Sequence, residues 1–482
     1  MRFCAVYKTL SGILLALSTF LVLPAIYSLF VGDGCWRDFL LPLVFSLLLF
    51  LPSLRCQSKD LNLKEALVIV TSVWFLFPAV SSLVYILGAH ISDPINAYFE
   101  SVSGFTTTGA TILNDIENLP PSILLWRSLT QWLGGLGFIV FSFSLLPFIR
   151  VSYHLVKFES ARLVEERLTP SVADVVKTVL GIYLFLTLLE VLILRFLGLD
   201  WFQALNHALT TVSTGGFSPK NEGIKAFDSF GVEVVISLFM LLGSVNLAVY
   251  YKSWKERKPL KVFSYFETKS LLILTFTGVI IATLDLWKNN FYPTLLEDFR
   301  YALFQVVSAV TTTGFASDDF SKYPPFVVSV MFFLTLIGGS AGSTAGGIKQ
   351  FRFILLLQVL RGEVKKTLHP RLVVKYSLGG KTVDVNLMHG VLSFVFVYAV
   401  TLFAFATLLT IGGHDLVTSF SASISCLTSF GPGLGQVGPM DNFNTFSDWQ
   451  KLLLTLEMIM GRLEILPVVS VFYLLVFERL KG

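Results

Sequence analysis

Long apolar runs alternate with short polar segments along the whole chain. A membrane-spanning helix needs about 20 apolar residues, and ten runs are near or above that length, at about 10–30, 38–54, 67–88, 122–149, 176–197, 232–251, 270–287, 325–360, 386–412 and 449–477. The last eight runs form four pairs. Within each pair lies a shorter apolar stretch that ends in a cluster of Thr, Ser and Gly. Because these stretches are too short to cross a bilayer, the pattern predicts ten spans and four re-entrant segments.

The composition supports a membrane location. Of the 482 residues, 54% are hydrophobic and 14% are charged, whereas an ordinary soluble chain has about 25% charged residues. These values exclude a soluble enzyme, a disordered protein and a disulfide-stapled secreted domain. The four cysteines, Cys4, Cys35, Cys56 and Cys426, form no CxxC motif and have no histidine at a metal-ligand spacing.

The distribution of charge predicts the orientation. An even number of spans puts both termini on one side, and that side holds 26 of the 36 Lys and Arg residues. By the positive-inside tendency, both termini are expected in the cytoplasm, and the re-entrant segments are expected to enter from the outer face. Arg2 and Lys8 before the first run also fit a signal peptide. That run leads directly into a second span, however, so we predict that it is itself a span.

The Thr/Ser/Gly clusters belong to a fourfold internal repeat. Their last glycines are Gly109, Gly216, Gly314 and Gly431, at intervals of 107, 98 and 117 residues. Sixteen residues before each glycine lies an aspartate: Asp93, Asp200, Asp298 and Asp415. Six residues before each glycine lies a hydroxyl: Ser103, Thr210, Ser308 and Ser425. Since only 16 of the 482 residues are Asp, a fourfold match at one offset indicates a true repeat.

Each of these aspartates is predicted to cap a short pore helix. Asp is a preferred N-cap residue, and Asp93 is followed by Pro94 at the favoured first helical position. The helix would end near the membrane midplane, where its partial negative charge favours a cation. The cluster would then return as an extended strand whose carbonyls can replace the hydration shell of a monovalent cation. For one cluster alone, close helix packing through small residues is the alternative; four clusters in register favour ion coordination.

These residues resemble the superfamily of K⁺ transporters formed by the TrkH/TrkG, KtrB and HKT proteins. The motifs specific to it are FTTTGAT (105–111), TVSTGGFSP (211–219), TTTGFA (311–316) and MGRLEILP (460–467). The resemblance extends over nearly the whole chain, and the two extra N-terminal helices make it closest to TrkH/TrkG. It implies K⁺ uptake across the inner membrane of a prokaryote. The implied fold is an all-α polytopic membrane protein with four span–pore-loop–span repeats around one central pore, divided into 1–60, 61–158, 159–262, 263–380 and 381–482.

The resemblance also implies a selectivity filter of backbone carbonyls that binds K⁺ without a covalent cofactor. The residues that it assigns to the filter are Thr106, Thr107, Thr108, Gly109, Ser213, Thr214, Gly215, Gly216, Thr311, Thr312, Thr313, Gly314, Thr428, Ser429, Phe430 and Gly431. Some sodium-permeating relatives have serine at the first glycine position, so Gly109 favours K⁺. The fourth strand departs from the pattern because Phe430 and Pro432 flank its glycine.

A glycine-rich segment, 338–347, interrupts the run 325–360. Its glycines are Gly338, Gly339, Gly342, Gly346 and Gly347. Five glycines cost a continuous helix about 4–5 kcal/mol, and irregular backbone at membrane depth is buried or lines a cavity. A small-residue packing ridge is the alternative. The resemblance implies a gating loop below the filter, and Lys349 is expected to hold it through a carboxylate or the backbone.

Arg462 lies in the middle of the run 449–477, and its charge at that depth must face the protein interior or a cavity. One interpretation is a buried ion pair with Glu457 or Glu464, although Glu464 points to a different helix face. The other interpretation comes from the resemblance, which puts this arginine in the cytoplasmic half of the pore. There it would repel K⁺ and act with the loop as a gate.

The predicted cytoplasmic surfaces carry two basic or amphipathic stretches, 361–381 and 158–168. Both fit contact with anionic lipid at the bilayer surface. The resemblance implies that such surfaces dock a ring of TrkA-like nucleotide-binding regulatory subunits and that the membrane subunits pair as homodimers. Neither contact is fixed by a sequence feature.

Other classes of function find less support in the sequence. A polytopic membrane enzyme would need catalytic motifs, and the chain has no HExxH, P-loop or GxSxG. His207 beside Asn206 is expected to pack or to bond the backbone. A transporter with inverted repeats is disfavoured because all four repeats share one orientation. Within the same architecture, a Na⁺-permeable pore and a Na⁺- or H⁺-coupled symporter stay open.

Overall fold

The computed structural model describes residues 2–56, 61–145, 172–474 and 476. The described part is helical apart from short connections and one hairpin, in which Ser377–Leu378 pairs with Lys381–Thr382. The amphipathic stretch 158–168 lies outside the described residues.

The N-terminal segment consists of α1 (Phe3–Ser18), α2 (Val22–Val31) and α3 (Trp36–Phe50). A 3₁₀ turn joins α1 to α2, so together they form one span, Phe3–Val31. A disulfide joins Cys4 to Cys56 and so ties the start of α1 to the turn that follows α3. The spacing of the cysteines did not predict this pair, because the two residues are 52 positions apart.

Each of the four repeats has a long first helix, a short pore helix and a second helix. The first helices are α4 (Leu63–Leu87), α7 (Val172–Phe196), α11 (Phe266–Lys288) and α15 (Val385–Thr410). The pore helices are α5 (Pro94–Phe105), α8 (Trp201–Val212), α12 (Leu295–Val310) and α16 (Leu416–Thr428).

The second helix is continuous in repeat 1 and divided in the other three. The helices are α6 (Pro121–Leu145), α9 (Phe230–Gly243) with α10 (Leu247–Lys255), α13 (Pro325–Ile337) with α14 (Gln350–Leu368), and α17 (Asp448–Arg462) with α18 (Leu466–Tyr473). The two helices of repeat 2 are bent by 85°.

Seven of the ten predicted spans are helices long and apolar enough to cross a membrane. The other three runs are the divided helices. The break in 325–360 was predicted from its glycines, whereas the breaks in 232–251 and 449–477 were not. The first of these follows Gly243, where the Asn246 side chain accepts from the Ala248 N–H and starts a new helix. The second falls at Glu464 and Ile465, which both have positive φ.

The pore helices form the buried centre of the molecule. In α5, every side chain from Glu100 to Phe105 is buried. The first helices lie outside them and carry exposed apolar side chains such as Phe185 and Phe276, which are 61% and 68% exposed. Small and polar side chains inside with large apolar ones outside are typical of a helical protein in lipid.

Candidate functional site

Three of the four repeat aspartates cap their pore helices. The carboxylates of Asp93, Asp200 and Asp415 accept from the backbone N–H three residues later, at 3.0, 2.7 and 3.3 Å. A hydrogen bond from the Thr418 hydroxyl holds the pKa of the Asp415 carboxyl below its ordinary value, so this cap stays ionised. A cap of this kind stabilises a helix by about 1 kcal/mol.

The third pore helix is capped differently, so the prediction for Asp298 is wrong. Its N-cap is Thr294, which forms a capping box with Glu297. The helix therefore begins one turn earlier than the repeat predicted, and Asp298 lies buried inside its first turns. A Ser/Thr residue followed three positions later by Glu was the sequence signal that could have identified this start.

All four pore helices end in the same turn. The N–H one residue before each filter glycine donates to the carbonyl six residues before that glycine, at 2.8–2.9 Å. The residue two before the glycine has a positive φ of 52–57°: Thr107, Thr214, Thr312 and Ser429. This is a Schellman motif, in which glycine normally takes the left-handed position. A residue with a Cβ costs about 1–2 kcal/mol there, and such strain is concentrated at functional sites.

The four filter glycines pack in a closed ring. A Cβ atom on Gly109 would overlap the carbonyl oxygen of Gly215 in the next strand. A Cβ atom on each of the other three glycines would likewise overlap the equivalent carbonyl oxygen of the next strand. These pairs are Gly216–Thr313, Gly314–Phe430 and Gly431–Thr108. All four glycines have φ between 81° and 101°. Both the backbone conformation and the lack of space therefore require glycine.

The deviant residue of the fourth strand does not break the ring. The Phe430 side chain is buried and lies in the apolar core formed with repeat 3. Its ring centroid is 6.3 Å from that of Phe320 and 6.2 Å from that of Phe332. The large side chain thus packs behind the strand, while the backbone keeps the conformation of the other three.

Polar side chains of the first repeat lie behind the glycine ring and bond to its backbone. Gln131 on α6 donates to the Gly215 carbonyl (2.6 Å) and accepts from the Phe217 N–H (3.0 Å). Arg127, one turn earlier, forms a buried ion pair with Glu100 of α5, at 2.7 Å. Gln131 thus joins α6 to the Thr/Ser/Gly strand of repeat 2, and Arg127 joins α6 to the pore helix of repeat 1. Together they fix the strands of repeats 1 and 2 relative to each other.

The Arg127–Glu100 pair extends to the residues that follow both strands. Glu100 accepts from the Ile112 N–H (3.1 Å), and Arg127 donates to the Ser218 carbonyl (3.3 Å). The distribution of charge along the sequence singled out neither Arg127 nor Glu100. Two opposite charges in otherwise apolar segments were the available signal.

A cavity lies over the ring on the side where the strands end. It is lined by all four filter glycines and by the loops that follow them, including residues 220–223 and 438–443. The loop of repeat 4 reaches repeat 1, where the Phe443 N–H donates to the Thr111 carbonyl (2.8 Å). The ring therefore opens into one common vestibule.

The glycine-rich segment lies against the other end of the ring. The Gly346 N–H donates to the Thr312 hydroxyl (2.6 Å), and a Cβ on Gly346 would overlap the Thr428 carbonyl oxygen. The Thr344 hydroxyl donates to the carbonyls of Val212 (3.1 Å) and Gly243 (3.0 Å). The segment 338–349, which we name the inner loop, thus contacts repeats 2, 3 and 4 at the inner ends of their strands.

Two cations hold the inner loop. Arg462 donates to the carbonyls of Thr344 (2.7 Å) and Gly134 (3.3 Å), and Lys349 donates to the Ala345 carbonyl. Both cations lie over the ring of Phe138, at 4.5 and 5.4 Å from its centroid. A bond from Lys349 to the backbone, one of the two expected contacts, is thus observed.

Arg462 does not form the ion pair that one interpretation gave it. Glu464 instead pairs with Arg352 (2.6 Å), and Glu457 accepts from the Ser423 hydroxyl (2.5 Å). In the described part of the chain, no carboxylate lies within ion-pair distance of Arg462. Among the described residues, its buried charge is therefore stabilised by two backbone carbonyls and the face of Phe138.

His207 bonds within its own repeat, as expected. Its Nδ1 lies 2.8 Å from the Gln203 carbonyl oxygen and its Nε2 lies 3.0 Å from the Ser218 hydroxyl. The second bond joins α8 to the residues that follow filter strand 2. We therefore assign His207 a structural role.

Known proteins are similar to this chain in sequence and in fold. The family model described as "Cation transport protein", TrkH, matches residues 42–477. The Trk system potassium uptake protein TrkH of Halomonas elongata is 33% identical over 474 residues, which are 97% of this chain and 98% of that protein. TrkH of Escherichia coli K12 is 32% identical over 479 residues, 98% of this chain and 99% of that protein.

A solved structure agrees with the architecture. The crystal structure of the potassium transporter TrkH from Vibrio parahaemolyticus superposes with a TM-score of 0.89 and 29% identity, and covers 98% of both chains. Family membership also places the chain among transport proteins rather than enzymes. The chain is a multi-pass membrane protein that belongs to the TrkH family of cation transport proteins.

Proposed function

We propose that this protein takes up K⁺ across the cytoplasmic membrane of a prokaryote through the ring of four filter strands. The observation that carries the proposal is the closed ring of four glycines, which opens into a common vestibule. Backbone oxygens in such a ring replace the water that a monovalent cation loses, and the pore helices direct their negative ends toward it. The choice of K⁺ rests on the relatives, which are named potassium uptake proteins.

The inner loop is proposed to obstruct the pore when uptake is off. This proposal is supported by its contacts with three of the four repeats and by the two cations that hold it. The Arg462 charge adds an electrostatic barrier, because its field is weakly screened where water is excluded. Opening requires the loop to leave the Thr312 hydroxyl and the Thr344 carbonyl to leave Arg462.

Regulation is proposed to come from the cytoplasmic side. The inner loop continues directly into α14, which ends in the basic stretch containing Lys365 and Lys366. A TrkA-like nucleotide-binding ring that docks on 361–381 would therefore move the loop through one rigid helix. Pairing as a homodimer would present two such linkers to the ring. Both termini lie in the cytoplasm in this proposal.

The proposal is tested by ⁸⁶Rb⁺ uptake in a bacterium that lacks its own K⁺ uptake systems. We expect the chain to restore growth and uptake at low K⁺. No uptake, with the protein detected in the membrane, contradicts the proposed transport. Proteoliposomes with imposed ion gradients then separate the remaining alternatives: uptake that needs a H⁺ or Na⁺ gradient indicates a symporter, and Na⁺ flux equal to K⁺ flux indicates a Na⁺-permeable pore.

Gly109→Ser tests the filter assignment. Its Cβ would overlap the Gly215 carbonyl in a backbone conformation that favours glycine, so the ring must widen or distort locally. We expect a lower K⁺-over-Na⁺ selectivity in the same vesicles. Gly137→Ala is the matched control, because nothing lies within 4 Å of its added Cβ. Unchanged selectivity in the serine variant contradicts the role of this ring.

A further inference from the structure

Three metal-ligating side chains meet where the N-terminal helices contact repeat 1. Cys35 precedes α3, Asp38 lies in the first turn of α3, and His90 lies between α4 and pore helix α5. The thiol sulfur, a carboxylate oxygen and an imidazole nitrogen all lie within 4.8 Å of one another. None of them contributes to the filter or to the inner loop. Their separation in sequence explains why no metal-ligand spacing was visible.

The spacing of these atoms fits a small divalent cation. His90 Nε2 lies 3.3 Å from Asp38 Oδ2. Tetrahedral zinc with bonds of about 2.0–2.2 Å to nitrogen and oxygen requires about 3.3 Å between those atoms. A thiolate at about 2.3 Å from the metal requires the sulfur at about 3.6 Å from them, so Cys35 Sγ, which lies within 4.8 Å of both, needs to approach each by about 1.2 Å at most.

Gly88 lies directly against two of the ligand atoms. A Cβ on Gly88 would overlap His90 Nε2 and lie 2.5 Å from Asp38 Oδ2. The φ of Gly88 is −81°, which any residue adopts, so its backbone conformation does not require glycine. What requires glycine here is therefore the close approach of the His90 and Asp38 side chains, which a larger residue would push apart. The site is also sheltered, with 6% of Cys35 exposed and 12% and 17% of the His90 and Asp38 side chains.

We propose that Cys35, Asp38 and His90 bind a borderline first-row divalent cation, with Zn²⁺ the best match to sulfur, nitrogen and oxygen ligands. Water completes a four-coordinate site. The bound ion joins the start of α3 to a position three residues before Asp93, the cap of pore helix α5. Metal binding therefore stabilises the junction between the N-terminal helices and the pore, because the cation binds only the folded arrangement.

The test uses the full chain purified in detergent without a polyhistidine tag. Zn²⁺ affinity is measured by competition with a chromogenic chelator, and Co²⁺ is used as a probe of sulfur ligation by its thiolate charge-transfer band. We expect one Zn²⁺ per chain, a Co²⁺–thiolate band, and a higher Tm with Zn²⁺. Cys35→Ser and His90→Ala should each lower the affinity more than about 10-fold, since even outer-shell changes cost that much.

His414→Ala is the matched control. His414 lies in the equivalent connection of repeat 4, between α15 and pore helix α16, and its ring bonds the Gln436 side chain. The control variant should leave the affinity, the band and the Zn²⁺-dependent rise in Tm unchanged. If a variant fails to fold, as judged by its Tm without metal, Asp38→Asn replaces it. Affinity that survives the ligand substitutions, equal loss in His414→Ala, or no binding by the parent protein overturns the proposal and leaves His90 and Asp38 as a hydrogen-bonded pair only.

Discussion

Replacement of Arg462 separates the two effects that the proposed gate combines, namely the hydrogen bonds that hold the inner loop and the positive charge beside it. Its guanidinium bonds two backbone carbonyls, one in the inner loop (Thr344) and one in α6 (Gly134), and it also places a full positive charge beside the inner loop. Arg462→Gln removes the charge and breaks the fork between the two carbonyls. Arg462→Lys keeps the charge but, with one compact ammonium group, cannot span both acceptors in the same geometry.

The size of the effect follows from the one bond that Arg462 makes to the inner loop, at the Thr344 carbonyl. A hydrogen bond to a charged group contributes about 1.5–3 kcal/mol, so the closed loop loses about that much when the bond is removed. Each 1.4 kcal/mol changes an equilibrium about tenfold. The Thr312 and Val212 contacts of the loop are unchanged in the variant and still favour the closed position. We therefore expect Arg462→Gln to raise basal flux by about 10-fold or more.

The assay is ⁸⁶Rb⁺ uptake into proteoliposomes that contain the purified chain without any cytoplasmic partner, under a clamped membrane potential. Arg462→Lys should give an intermediate flux, since it loosens the loop but keeps the barrier. Arg195→Gln is the control, because Arg195 lies at the end of α7 and donates to the nearby Leu199 carbonyl (3.2 Å). If Arg462→Gln conducts like the parent chain, neither the bond between Arg462 and the inner loop nor the charge of Arg462 limits permeation, and the proposed gate is wrong.

Three other substitutions test parts of the filter. Gly216→Ala would place a Cβ against the Thr313 carbonyl, so K⁺ uptake should fall at least about tenfold in the ⁸⁶Rb⁺ assay while protein amount in the membrane stays constant. Gln131→Leu removes the bonds to Gly215 and Phe217 and should lower K⁺-over-Na⁺ selectivity; equal selectivity refutes its supporting role. Glu100→Gln leaves Arg127 buried without its carboxylate and should destabilise the fold by about 3–5 kcal/mol, measured as a lower Tm in detergent.

The sequence predicted the large features because they depend on composition and local pattern. Spans follow from apolar length, and the pore helices follow from a repeated Asp and a repeated Thr/Ser/Gly cluster. The third cap shows the limit of this reasoning. The repeat suggested Asp298, but Thr294 and Glu297 form a stronger local signal, and the helix began there. Where a repeat and a local capping rule disagreed, the local rule decided the structure.

Features that join distant segments could not be predicted in the same way. The Arg127–Glu100 pair, the Arg352–Glu464 pair and the Cys4–Cys56 disulfide each connect residues that are far apart in sequence. No periodicity relates such partners, since their meeting depends on how whole helices pack. Arg462 illustrates the point: its neighbours in sequence include two glutamates, yet its hydrogen bonds go to carbonyls 118 and 328 positions away.

The inner loop occupies a position that is tightly packed in the other three repeats. In repeats 1, 2 and 4, a glycine of the second helix lies so close to the last turn of the pore helix that a Cβ would meet its carbonyl, in the pairs Gly134–Phe105, Gly243–Val212 and Gly461–Leu427. In repeat 3, α13 ends at the corresponding place, and the added Cβ of Gly338 would meet the loop itself at Gly346. One of the four equivalent contacts is thus made by the inner loop. The second helices of repeats 2 and 4 are also broken after this contact, but their breaks are short, whereas the inner loop is twelve residues long. In the proposed mechanism it is therefore this loop that moves beneath the ring, while the glycine contacts of the other three repeats hold the filter.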